Sequence, residues 1–405
     1  MVMPRPDAHA LAHSGILERR IAEVVRAAGG WIGFDAWMTR ALYEPGLGYY
    51  SGRRSPFGEQ GDFVTAPELS PLFAECIAVQ VSQWFEQVAP MVIEFGAGTG
   101  RLAAGVLAGL QARGTPARRY AIVELSAGLR ARQRETIARL APGALPAVEW
   151  LDALPTVLEG VVLGNEVLDA MPVRLFEHEA GALAEIGVTV GADGRAAFAP
   201  RPADAALTEA VHASLAAAVG GPGPPDLRAM FGELPYRSEI GLQAQAWIRT
   251  VGGALRHGAV LLLDYGFPAR EYYHPQRRGG TLVAHRRHRV HHDLLEDPGL
   301  QDLTAHVDFS ALDREARRCG LQRLGYASQA RFLINCGLLD MALEQARGLH
   351  AGAGRSAVGH AQALGAVQKL LSEAEMGELF KAIAFGRGLS GSTLGFAQGD
   401  RGDAL

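Results

Sequence analysis

Residues 91–95, MVIEF, form a short apolar run directly before Gly96, Ala97, Gly98, Thr99 and Gly100. An Ala/Leu-rich stretch, 101–114, follows at once. A strand that ends in alternating glycines and opens a helix leaves few folds open. It is the way an open α/β sheet makes room for a ligand at its carboxyl edge. Glycine supplies φ > 0 and lets a ligand approach the backbone. A dinucleotide turn would read G-x-G-x-x-G/A, but Arg101 stands where the last small residue belongs. The spacing is instead G-x-G-x-G, with Glu94 two residues before the first glycine. That argues against a nicotinamide cofactor.

The rest of the chain extends this unit. RYAIVEL (119–125), AVEWL (147–151), GVVLGNEV (160–167) and GAVLLLDYG (258–266) read as further strands, and 126–140 as a helix capped by Ser126. Strands alternating with helices mean βαβ units and a mostly parallel sheet. An N-terminal helix is expected over 17–29, and a second one capped by Asp35. Residues 173–200 read as an antiparallel meander, 238–258 as a helix running into a strand, and 307–320 as a helix. Ser372 with Glu375 suggests a capping box for a helix through 376–385, and 392–398 a last strand. The Gly/Pro-rich segment 43–71 is unusually long for a connection and reads as an ordered covering loop.

Composition excludes several classes. Of the 405 residues, 48% are hydrophobic and 20% charged, so most of the chain is not disordered. A net charge of -4 and the lack of a basic arm give no reason to expect nucleic-acid binding. Cys76, Cys319 and Cys336 are too few for a disulfide framework. No apolar run spans a membrane, and no secretory signal is visible, so a cytoplasmic location is expected. His285, His288, His291, His292 and His306 tempt a metal reading. Arg286, Arg287 and Arg289 interleave with them, so no metal is expected there.

The turn pattern resembles motif I of class I S-adenosylmethionine (SAM) methyltransferases. Glu124 ends the next strand, 24 residues beyond Gly100, where a carboxylate can accept both ribose hydroxyls. Asp152 follows the third strand, where an acid can bond an adenine amino group. Asn165, Glu166 and Asp169 end the fourth strand, at the edge where the group to be methylated would sit.

Five segments occur in one order: GDFVTAPELSP (61–71), EFGAGTGRLA (94–103), GNEVLDAMPV (164–173), LLLDYG (261–266) and GLQDLTAHVDFSAL (299–312). Together they resemble the MidA-like SAM-dependent methyltransferases over roughly residues 34–340. Mitochondrial members of that family are protein arginine methyltransferases acting in assembly of respiratory complex I. The resemblance implies a Rossmann-like class I methyltransferase core, a seven-stranded, mostly parallel sheet; no mitochondrial presequence is visible, so a bacterial member is expected. It implies N-terminal helices and a covering loop (1–88), a SAM-binding first half (89–175), an insertion (176–250) and a second half (251–405) interrupted by 267–308. The implied cofactor is SAM, held by Glu94, Gly96, Ala97, Gly98, Gly100, Glu124, Leu125, Asp152 and Thr65. Glu166, Asp169 and Asn165 would be catalytic, and Asp264, Tyr265, His306 and Asp302 would face the substrate. The implied partner is a protein substrate, such as a respiratory-complex subunit, with a homodimer as a further expectation. A SAM-binding scaffold without turnover is the rival reading.

Overall fold

The computed structural model describes residues 6–52, 65–179, 181–221, 225–232, 234–351 and 357–405. The chain forms two compact units. One comprises Val64–Leu168, Trp247–Gly266 and Leu312–Leu405; the other comprises Met1–Phe63, Asp169–Ala246 and Phe267–Ala311.

The first unit is built on strands β1 (Met91–Phe95), β2 (Arg119–Val123), β3 (Val148–Leu151), β4 (Leu158–Asn165), β5 (Leu255–Phe267), β6 (Gln322–Ser328) and β7 (Phe380–Arg387). They run in the spatial order β3-β2-β1-β4-β5-β7-β6. β1 through β5 pair in parallel, and β7 pairs antiparallel with β5 and β6. The central strands are buried on both faces, as the continuous apolar runs of β4 and β5 require. The order reverses between β1 and β4, the switch point at which such sheets bind ligands. Helix α1 (Pro71–Trp84) packs on α2 (Arg101–Ala112). The contact is close because Gly105 and Gly109 face Ala74 and Ala78. A Cβ on either glycine would lie 2.4 or 2.7 Å from the facing alanine Cβ.

The second unit holds an antiparallel sheet in which Ala182–Val190 pairs with Ile32–Gly33, Arg174–Glu179 and Ala196–Pro202, while Tyr236–Ile240 borders Arg174–Glu179. A smaller sheet joins Val283–Arg286 to Arg289–His291 and Asp302–Thr304. Arg286 and Arg289 pair across the hairpin, with Arg287 and His288 both at positive φ at its tip. The histidine-rich run therefore belongs to a hairpin and the segment after it.

Several elements differ from expectation. The N-terminal helix begins at Ala8, where the Asp7 carboxylate accepts the Ala10 N–H. Gly33, not Asp35, is the N-cap of Phe34–Tyr43; Asp35 lies inside the first turn and accepts from Ala36 N–H. Residues 238–240 belong to a strand, and the helix starts only at Leu242. The expected helix over 376–385 is instead largely β7. Ser372 closes a turn, its carbonyl accepting from Glu375 and Gly377, and the apolar run then enters the sheet between β5 and β6. Buried on both faces, it lacks the alternation that marks a strand. Residues 392–398 hold only a short 3-10 turn, Leu394–Phe396. Of the covering loop, residues 53–64 lie outside the described residues.

Candidate functional site

The glycine turn leaves β1 with Gly96, Gly98 and Gly100 at φ 64°, 51° and 85°. An L side chain at such φ costs about 1–2 kcal/mol, so the turn demands its glycines. It is also tightly backed. A Cβ on Gly96 would sit 2.8 Å from Val167 Cγ2, and one on Gly100 would sit 2.9 Å from Gln133 Cα. Gly100 donates to the Ala97 carbonyl at 2.7 Å and precedes α2, so the turn delivers its N–H groups to a helix N-terminus.

Glu94 lies beneath this turn, 1% exposed, and accepts the Tyr120 hydroxyl at 2.7 Å. Burial pushes its carboxyl up to about 7. Its side chain supports β1 from inside the core. Glu68 holds the outer side: it accepts the Thr99 hydroxyl and pairs with Arg101 Nε at 3.2 Å. Arg101 thus has a local partner in the TAPE segment. Thr65, also expected at the cofactor, is the N-cap residue of the short helix Ala66–Leu69.

Glu124 stands past the end of β2. Its Oε1 accepts Ser126 N–H at 2.8 Å and its Oε2 accepts Gln133 Nε2 at 3.1 Å. Leu125, beside it, is 78% exposed. A large apolar side chain this exposed next to a polar turn suits the face of a ligand ring. Asp152 is 88% exposed at its side chain and pairs with Arg130 at 2.5 Å. Arg130 also donates to the Glu124 and Leu151 carbonyls, tying the ends of β2 and β3 together. The sequence reading missed Gln133, the buried residue that meets both Glu124 and the Gly98 carbonyl. Its only sequence signal was an inward position on α3 (Ala127–Leu140), shared with Thr136 and Ile137.

At the end of β4, Asn165 is 8% exposed and donates to Glu166 Oε1 at 3.1 Å. Its Oδ1 is buried without a hydrogen-bond partner. Glu166 takes φ 52°, a strained value for a non-glycine residue, and its N–H reaches the Leu263 carbonyl at 2.8 Å. Asp264 had been expected on the substrate side. It is instead buried, and its carboxylate accepts the N–H groups of Val167, Leu168 and Tyr265 at 3.1, 2.8 and 2.9 Å. Its work is to shape the turn after β4. Tyr265 is half-buried and meets Phe380 edge-on, with centroids 5.3 Å apart.

The remaining candidates lie in the other unit. The Asp169 carbonyl accepts Ala305 N–H at 3.0 Å. Asp302 is buried, and Tyr50 donates to both its oxygens at 2.9 Å. Burial and that carboxylate push the Tyr50 phenol well above its usual range. Tyr43 stacks on Tyr50 and donates to the Ala170 carbonyl. His306 is half-buried; its N–H donates to Thr281 Oγ1, and its carbonyl accepts from Tyr272. Behind it, buried Glu239 accepts from Tyr272 and Thr281, a network with no local sequence signal.

These residues fit SAM. Three left-handed glycines form the turn, a fixed carboxylate stands at the next strand end with an exposed leucine beside it, and an orphaned acceptor ends β4. They would hold the methionine part at Gly96 to Gly100 and the ribose at Glu124.

Comparison with known proteins agrees. The family described as "Putative S-adenosyl-L-methionine-dependent methyltransferase" matches residues 76–327. The mouse mitochondrial protein arginine methyltransferase NDUFAF7 is 30% identical over 387 residues, covering 86% of this chain and 79% of its own. The human protein of that name is 28% identical over 331 residues, covering 75% and 69%. A crystal structure from Burkholderia thailandensis, bound to S-adenosyl-homocysteine (SAH), superposes with TM-score 0.89 at 47% identity, covering all of both chains. With a family match over more than half its length and a homologue that holds the demethylated cofactor, the chain belongs to the SAM-dependent methyltransferases.

Proposed function

We propose that this methyltransferase modifies arginine side chains of a protein substrate. The observation that carries the reading is the acceptor pair ending β4: a buried, unpartnered Asn165 Oδ1 beside the Glu166 carboxylate. A guanidinium presents only donors, and a neighbouring carboxylate stabilises its charge. The names of the mouse and human relatives support the same substrate class.

Bound SAM supplies an electrophilic methyl group on its sulfonium. The chain's part is to place the acceptor nitrogen in line with that methyl and hold its lone pair there. A guanidinium nitrogen starts with its lone pair delocalised, so Glu166, with Asp169 three residues on, would orient it and offset the charge as the bond forms. The nitrogen then loses a proton to a carboxylate or to water. Glu124 would take the ribose, Leu125 would pack on the adenine, and Asp152 would lie at its rim. We extend the reading to a bacterial cytoplasmic enzyme, with a respiratory-complex subunit as substrate and a homodimer as the assembled form. No described helix is long and apolar enough to cross a membrane.

The test is methyl-labelled SAM incubated with the protein and a lysate from cells lacking it, followed by acid hydrolysis of the labelled proteins. Label in methylarginines, lost in the combined Glu166→Gln and Asp169→Asn variant, supports the proposal. Label in another amino acid overturns the arginine assignment. SAM binding with no labelled protein leaves the scaffold reading in its place.

A further inference from the structure

Gln133 bonds three groups around the glycine turn, and nothing in the chemistry above requires it to be glutamine. It is wholly buried. Its Nε2 donates to the Gly98 carbonyl and to Glu124 Oε2, each at 3.1 Å. Its Oε1 accepts Trp150 Nε1 at 2.9 Å, from β3. The orientation of the amide follows from its partners: an indole N–H only donates, and a backbone carbonyl only accepts. Its backbone closes the same turn, since its Cα and carbonyl are the atoms a Cβ on Gly100 would strike.

We infer that Gln133 is the positioning residue that fixes the Glu124 carboxylate for the cofactor's ribose and locks it to the glycine turn. The inference rests on the assignment of Glu124 to the ribose. Each Glu124 oxygen receives one protein donor, Ser126 N–H on one side and Gln133 on the other. Each therefore keeps acceptor capacity for one hydroxyl of a vicinal diol. Without Gln133, one oxygen loses its anchor, and the carboxylate must be ordered at the expense of binding. The same substitution frees the Gly98 peptide, so the ribose and methionine ends of the site loosen together.

The test is calorimetric titration with SAH and with its 2′-deoxy analogue, using wild type, Gln133→Met and Gln133→Glu. Gln133→Met keeps the volume and removes the donors. It is expected to weaken SAH binding about tenfold or more and to narrow the gap between SAH and the deoxy analogue. Gln133→Glu keeps the shape but sets a carboxylate against Glu124 and the Gly98 carbonyl. Its SAH affinity, as a ratio to wild type, is expected to be low at pH 8 and to recover toward about pH 6, where protonation restores one donor. A residue that only fills space would not produce that pH profile. SAH affinity within about twofold of wild type in Gln133→Met, or a flat ratio in Gln133→Glu, overturns the inference. If Gln133→Met does not fold, the Gln133→Glu profile decides alone. Glu124→Ala separates the two levels. If it binds SAH normally, the ribose assignment itself falls; if it loses binding while Gln133→Met keeps it, only the role of Gln133 falls.

Discussion

The Asp264 carboxylate accepts the Leu168 backbone N–H at 2.8 Å, across 96 residues of chain, and a second bond from Val167 at 3.1 Å reaches the same oxygen. One buried side chain on β5 thus dictates the path of the chain leaving β4. Asn165 and Glu166 stand immediately before the clamped peptides. Charge-assisted bonds to consecutive N–H groups are among the stronger local constraints a protein can place on a turn.

Asp264→Asn tests this directly. An amide offers one acceptor atom where the carboxylate offers two, and its NH2 would face an N–H. The loss is about 1–3 kcal/mol, because a buried donor is left unmatched. Thermal melting should show a midpoint a few degrees lower, and methyl transfer should fall about tenfold or more as Glu166 shifts. SAH binding should suffer less, since Glu124 and the glycine turn do not touch Asp264. Unchanged melting would show that the clamp contributes nothing to stability.

Gly96 faces Val167 from the other side. Gly96→Ala adds a methyl 2.8 Å from Val167 Cγ2 and also forces φ 64° on an L residue. The two costs separate in a double-mutant cycle. Val167→Ala should relieve the clash and recover part of the lost SAH affinity, while the backbone penalty of about 1–2 kcal/mol remains. If Val167→Ala recovers nothing, the close approach is not what Gly96 serves.

Much of this site was legible because its signals are local. The run from Met91 through Gly100 shows its strand, turn and helix within a dozen residues, and Ser126 caps the helix expected of it. What was hidden depends on distant partners. Nothing near Asp264 announces the N–H groups of 167 and 168, so the family resemblance alone set it on the substrate side. Gln133 sits in an arginine-rich helix where one more polar residue looks solvent-facing; only Trp150 and the Gly98 carbonyl make it interior. β7 was hidden differently: burial on both faces erases the alternation that would have distinguished it from a helix.

Glu94 predicts a pH dependence. Burial raises its folded value to about 7, above the ordinary carboxyl range that it has in the unfolded chain. Between those two values the folded state binds more protons than the unfolded state, so stability falls as pH rises through that window and levels off above about 7. The full effect is on the order of 3 kcal/mol. Glu94→Gln keeps an acceptor for the Tyr120 hydroxyl and removes the titration. Its melting midpoint relative to wild type should therefore improve steadily from about pH 5 to pH 8. A constant difference across that range would mean Glu94 titrates normally.

Arg101 occupies the place where a dinucleotide turn would carry a small residue, and its ion pair with Glu68 gives it a reason to be there. With Thr99 bonded to the same carboxylate, Glu68 holds two residues of the turn against the TAPE segment. Arg101→Ala breaks one half of this arrangement. The pair is partly exposed, so its own contribution is about 1 kcal/mol or less, and melting should barely change. Glu68→Gln weakens both halves and leaves Arg101 uncompensated, so SAH affinity should fall further in it than in Arg101→Ala. Neither change creates a pyrophosphate site, because the G-x-G-x-G spacing and the Glu124 carboxylate remain. Calorimetry with SAH and NADH on both variants checks the ordering. Equal losses would mean that Glu68 acts only through Arg101, and NADH binding by Arg101→Ala would mean that this one side chain had kept the nicotinamide cofactor out.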